Sequence, residues 1–360
     1  MPMPADKKVE TGGDNKALVL IIIWGGLLVL ILGWLKTSGI FNEVFLIGLS
    51  SDQGIIGYAY KTEEVKTSIL HFEKSVDIHQ ITKSSTNPNL FYAATNRGVF
   101  FSQDSGKNWY PFSDLNKKID QNTKIHKIVK KPSSEEMFVS AYKNNKGIIY
   151  QSNNGLFTLN KLLEFNRDIA YDLEIFKGDL YLGFTSGKIL VYSLSDKNIK
   201  QVAKLSGPIS NLKNVNDYVL FALSSSKIFV SFNGADFTQK SDPSNVKDIF
   251  VSQDGLAIYL ITKNSFLKSL DFGSNYVSVT SLPIEPQKIE KAAASSINHL
   301  YVFGNQQLFE SFDEGQSWKS YASKIRRTVS TIEITSNKIL VGTKAFSFSN
   351  FLWENLFQII

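Results

Sequence analysis

Cysteine is absent from this chain of 360 residues. That excludes disulfides, thiol nucleophiles, cysteine metal sites and a lipidated-cysteine anchor. A domain of about 300 residues buries enough core to fold without disulfides, so their absence does not argue against an extracytoplasmic location. Arginine is nearly absent too: Arg97, Arg167, Arg326 and Arg327 are the full set. Bidentate capture of a carboxylate is arginine work, so a converging arginine triad is not expected. The four histidines, His71, His79, His126 and His299, stand far apart without metal-binding spacing. No G-x-S-x-G elbow and no glycine-rich phosphate loop occurs. The net charge of +6 is mild. Its densest basic stretches, Lys124 to Lys127 and Lys130-Lys131, are too short for a nucleic-acid stripe. No cofactor, metal or nucleic acid is expected, and the chain is not expected to be an enzyme.

Aromatic residues are plentiful, with 26 Phe and 14 Tyr, and they recur in a register that assigns them to core packing. The register is set by a motif. Ser102-Gln-Asp-Ser-Gly-Lys-Asn-Trp109 returns as Ser311-Phe-Asp-Glu-Gly-Gln-Ser-Trp318. In each copy the Ser and Asp side chains are suited to accept backbone N–H bonds in a tight turn. Gly106 and Gly315 supply a positive φ, and Trp109 and Trp318 return as hydrophobic pins. Worn copies lie between: Ser152 with Gly155, Ser231 with Gly234, and Ser269 with Asp271, Gly273 and Tyr276. Ser193 and Ser349 continue the series without the glycine. The spacings of 50, 41, 38, 38, 42 and 38 residues match one propeller blade. A short apolar run precedes each serine, as in Phe91-Tyr-Ala-Ala-Thr and Leu300-Tyr-Val-Phe-Gly. Each reads as a strand covered on both faces.

These residues resemble the Asp-box, or BNR repeat, of sialidases, sortilin-type propellers and photosystem II stability/assembly factor-like proteins. The resemblance implies that the boxes are structural turns within propeller blades. It also implies a scaffold that binds a protein and assists assembly of a membrane complex. A glycan-binding or glycoside-hydrolysing ectoprotein of sialidase-like architecture is the alternative. The Arg-poor composition tells against the sialidase chemistry that the resemblance would otherwise carry.

One long apolar run stands outside the repeat. Residues 17–35 carry no charge over 19 positions, enough to cross a hydrocarbon layer of roughly 30 Å as a helix. Lys7, Lys8 and Lys16 precede the run, and only Lys36 follows closely. This bias places residues 1–16, a disordered tail, in the cytoplasm. The expected organisation is therefore a transmembrane helix at 17–35, a linker at 36–53 and an all-β, seven-bladed propeller of four-stranded blades at 54–360. N-terminal strands close its last blade. The expected setting is a single-pass membrane protein of a bacterium, with its propeller extracytoplasmic and its partner a protein.

Overall fold

The computed structural model describes residues 76–344, apart from 116, 133, 323, 324, 326, 336 and 337, together with the strand segments Ile55–Ala59, Val65–Thr67 and Ile69–Leu70. The tail, the apolar run 17–35, the linker 36–53 and Ser349 with its neighbours lie outside the described residues. Among the described residues no helix is long and apolar enough to cross a membrane. The one helical piece among them is the 3-10 turn Pro286–Lys288.

The described chain is a β-propeller. Six blades follow one another: blade 1 (78–111), blade 2 (124–166), blade 3 (170–204), blade 4 (209–239), blade 5 (246–278) and blade 6 (289–322). Each is an antiparallel run of four consecutive strands. Their second strands are the apolar runs read from the sequence. Phe91–Thr95, Val219–Ser224, Ile258–Thr262 and Leu300–Gly304 are buried at every position, because blades pack against both faces. Outer strands such as Asn160–Asn166 meet solvent.

The expected count of seven blades is corrected to six. Six serines of the series, at 102, 152, 193, 231, 269 and 311, fall one to a blade. Residues 329–343 supply only two strands, Val329–Ile334 and Lys338–Thr343, too few for another blade of the repeat. They join a composite sheet instead. Lys338–Thr343 pairs with Ile55–Ala59, which pairs with Val65–Thr67. That sheet has four strands, whereas blade 1 has five, since Ile69–Leu70 adds a strand parallel to Asn108–Pro111.

Candidate functional site

The innermost strands of the six blades and of the composite sheet surround a central channel of about 970 Å³. Each strand opens on the same four-residue pattern, aliphatic–polar–polar–aliphatic. Ile78-His79-Gln80-Ile81 and Ile125-His126-Lys127-Ile128 are the first two, and Ala170-Tyr171-Asp172-Leu173 departs only in the aromatic ring of its tyrosine. The series continues through Ile209, Val246, Ile289 and Val329. Every copy breaks the ladder register at its second residue. Such a bulge re-aims a side chain. Here it turns two consecutive polar residues toward the lumen while both flanking aliphatics stay in the core.

The lumen-facing polar groups close the ring. Gln80 Oε1 accepts from Ile128 N at 2.8 Å. Lys127 Nζ meets Asp172 Oδ1 at 2.8 Å, and Asp172 Oδ2 accepts from Leu212 N at 2.8 Å. Asn211 Nδ2 donates to Asp248 Oδ1 at 2.8 Å, and Lys291 Nζ reaches Asp248 Oδ2 at 2.6 Å. Glu290 Oε2 accepts from Val329 N at 2.6 Å. Ser330 Oγ donates to Ile78 O and completes the circle. Each inner strand is thus tied to the next by at least one side-chain bond. The links that include a charged group contribute about 1.5–3 kcal/mol each at most, less where lumen water reaches them.

Deeper in the lumen the charges are crowded. The Lys127 ammonium beside it, and then burial, hold Lys213 below the usual lysine range. Burial pushes Glu174 up. Glu333, enclosed by the channel walls, is raised by burial to about 7 against the opposing pull of Lys130 and Lys83. At the channel mouth His79 and His126 stack at 5.6 Å, and Tyr171 leans on His126 at 5.2 Å. His79 Nδ1–H donates to Ile125 O at 2.5 Å. Burial lowers His126 to about 3, so both rings are neutral at ordinary pH.

These shifts predict opposite pH responses. Glu333 keeps its proton in the folded chain up to about pH 7, whereas the unfolded chain releases it near 4.5. Its contribution is therefore fully present below 4.5 and is lost as pH rises through 7. His126 stays neutral when folded, so its contribution is lost as pH falls below 6.5. Glu333→Gln is expected to stabilise the protein at pH 8 by roughly 1–2 kcal/mol, after allowance for lumen water. It should change little at pH 4. Denaturant melts at both pH values check this; equal effects at the two would contradict the assignment.

The residues singled out by the sequence motif lie elsewhere, in turns at the rim. Ser102 Oγ donates to Asp104 Oδ1 at 2.8 Å and accepts from Gly106 N at 2.8 Å. Asp104 Oδ1 takes the Asn108 N–H at 2.9 Å, and Trp109 Nε1 donates to Gly106 O at 3.1 Å. Ser311, Asp313, Gly315 and Trp318 repeat all four bonds, with Ser317 in the place of Asn108. Ser269, Asp271 and Gly273 repeat the serine and aspartate bonds. Tyr276 stands in the indole position, and its hydroxyl is buried without a hydrogen-bond partner among the described residues. Ser231 bonds Asn233 and Gly234. Ser152 bonds Asn154 and skips Gly155 to accept from Leu156 N. Bonds from three turn N–H or O–H groups, with little burial, hold Asp271 and Asp313 down to about 2. The turns do not converge on one pocket; each braces its own blade.

The channel residues escaped the motif reading. Their signal was present, since the aliphatic–polar–polar–aliphatic tetrad recurs every 37 to 47 residues. It is weak because the polar pair varies from His-Gln to Ser-Thr, so only its phase against the serine series marks it. Among the described residues, no three histidine or carboxylate side chains gather to hold a metal ion.

No family model matches this chain, and no curated protein sequence does. Similar solved structures include YCF48 bound to D1 peptide, 16% identical over 75% of this chain and 90% of that one, with a TM-score of 0.60. The GH74 enzyme of Niastella koreensis is 13% identical over 75% of this chain and 52% of the enzyme, with a TM-score of 0.60. The WD40 β-propeller domain of Doa1 is 11% identical over 76% of this chain and 93% of that one, with a TM-score of 0.54. At these identities the likeness shows the β-propeller fold alone.

Proposed function

We propose that this chain is a membrane-anchored, extracytoplasmic propeller that binds a protein partner in the manner of an assembly factor, and that its serine–aspartate turns are Asp-boxes. One observation carries the reading. Polar side chains of the lumen tie each inner strand to the next, through side-chain or backbone partners, so this set serves closure of the fold rather than capture of a substrate. Contact then falls to the faces of the disc, as suits a scaffold. The likeness to YCF48, described bound to D1 peptide, supports the same class, and the apolar run 17–35 supplies the anchor.

Chemical cross-linking of the full chain in native membranes, read by mass spectrometry, tests the reading. The expected result is one recurring protein joined to propeller lysines. The same purified chain is expected to leave fluorogenic glycosides intact. Cleavage of any of them would replace this reading with a glycosidase.

A further inference from the structure

The rim that carries the serine turns is not uniform around the ring. Blades 1 and 2 place Gln103 and Asn153 directly after the box serine, both exposed. The matching residue of blades 4, 5 and 6 is Phe232, Leu270 and Phe312, each more than half exposed. The same turn tolerates a polar residue in one half of the ring, so the apolar choice in the other half does not come from the turn.

Phe272 makes the contrast sharper. It precedes Gly273 at φ 57°, a left-handed conformation. The equivalent residues, at φ 61° and 62°, are Ser105 and Glu314. A bulky side chain is disfavoured at such a φ; Leu156 bears the same strain at φ 73° but is buried in the core, whereas Phe272 is exposed. Its ring is turned outward against Tyr218, centroids 4.6 Å apart, and Tyr218 meets Phe232 edge-on at 5.7 Å. Tyr218 is itself 55% exposed. Three aromatic rings from two blades thus form a solvent-facing cluster, with Leu270 exposed in the Phe272 turn and Leu256 in the neighbouring turn of blade 5. Contiguous exposed apolar surface of this sort marks an interaction site.

The cluster sits on a braced support. Asn216 Nδ2 donates to Gly255 O at 3.0 Å, joining the turns of blades 4 and 5. Lys177 N donates to Asp217 Oδ1 at 2.9 Å, and Ile297 N to Asp254 Oδ2 at 3.2 Å, joining them to blades 3 and 6. A rigid surface loses little entropy on binding. Charge then selects the occupant. The turn segments 216–218, 232–236, 253–256 and 270–275 hold Asp217, Asp236, Asp254 and Asp271 and no lysine or arginine, in a chain whose net charge is +6; Lys177 reaches them from blade 3, its Nζ donating to Phe232 O at 2.8 Å, and the four carboxylates outnumber it. An anionic rim repels an anionic lipid surface and complements a basic segment.

We infer that the turns of blades 4 and 5 form a docking face for a basic segment of a protein partner that inserts apolar side chains between Tyr218, Phe232 and Phe272. The inference deepens the protein-binding reading and rests on it.

The test uses the full chain in detergent and three fluorescent 12-residue peptides, alternating Lys with Phe, Glu with Phe, and Lys with Ser. Anisotropy is expected to show saturable binding of the Lys/Phe peptide alone. The variant Tyr218→Thr/Phe232→Asn/Phe272→Asn uses residues that suit these turns, and its melting temperature should match the parent's. It should weaken Lys/Phe binding at least about tenfold, the loss typical of central aromatic anchors. Phe157→Ser, an exposed ring in the blade 2 turn, should leave binding unchanged. Equal binding of the Glu/Phe peptide, no binding of Lys/Phe, or full affinity in the triple variant would each overturn the docking face. So would sedimentation with phosphatidylglycerol vesicles that the triple variant loses, since the occupant would then be lipid. Any of these results leaves the cross-linking test of protein binding standing, and glycoside cleavage would remove that reading without touching the peptide result.

Discussion

Trp109→Ala is expected to destabilise the propeller by about 3–5 kcal/mol, the range for deleting a large buried ring. Trp109 has no exposed surface. It packs among Val76, Ile78, Phe91, Phe100 and Leu340, so it stands between blade 1 and the composite sheet. Its indole N–H also holds Gly106 O at 3.1 Å. Removing it leaves a cavity at the join and breaks that bond. For a domain of this size the loss corresponds to a fall in melting temperature on the order of 10 °C. Trp318→Ala should lose less, because that ring is only half-buried against the blade 5 and 6 core. Thermal or urea unfolding of both variants checks the order. A Trp109→Ala loss below about 1 kcal/mol, outside the range for buried rings, would contradict the packing described for it.

A second large effect is expected at the lumen. Asp248→Ala removes the acceptor of Asn211 Nδ2, Lys291 Nζ and the Ile249 N–H together. It leaves the Lys291 ammonium in the channel without its carboxylate. Breaking one side of a fully buried pair costs about 3–5 kcal/mol, and less here because Lys291 is 29% exposed to the lumen, while replacing both members with apolar residues is often near neutral. The double variant Asp248→Leu/Lys291→Met is therefore expected to recover most of the loss. Urea unfolding of the parent, both single variants and the double variant gives the coupling directly. If the double variant is no more stable than Asp248→Ala, the pair does not close the ring as described.

How much of this was legible depended on what each feature obeys. The second strands were readable because a segment packed on both faces has to be apolar throughout, as Val219–Ser224 is. The turn bonds of Ser102, Asp104 and Gly106 were readable because a hydrogen-bonded turn demands particular side chains at fixed offsets. The blade count was not readable in the same way. Ser349 looked like one more repeat, yet only two strands, Val329–Ile334 and Lys338–Thr343, remain near the end of the described chain to build on. The lumen ring stayed hidden because its links cross between strands 37 to 47 residues apart. They need only some donor opposite some acceptor, which leaves no fixed residue type. Phe232, Phe272 and Tyr218 were hidden for the opposite reason. Aromatics in blade register read as core, and composition does not say which way a ring points.

The composite sheet sets the order in which the molecule is completed. Ile55 and Gly342 are register partners, although 287 positions separate them along the chain. Closing so long a loop costs roughly 5 kcal/mol in chain entropy while the chain is unfolded, and far less once the blades between have formed, so this clasp forms after them. Until it fastens, blade 1 and the strands at 329–343 present a gap with bare edges, the part of a β-structure that recruits stray strands. The propeller's exposure to aggregation is therefore concentrated at one seam and in one interval of its folding, and whatever shields that seam governs the yield of the closed ring.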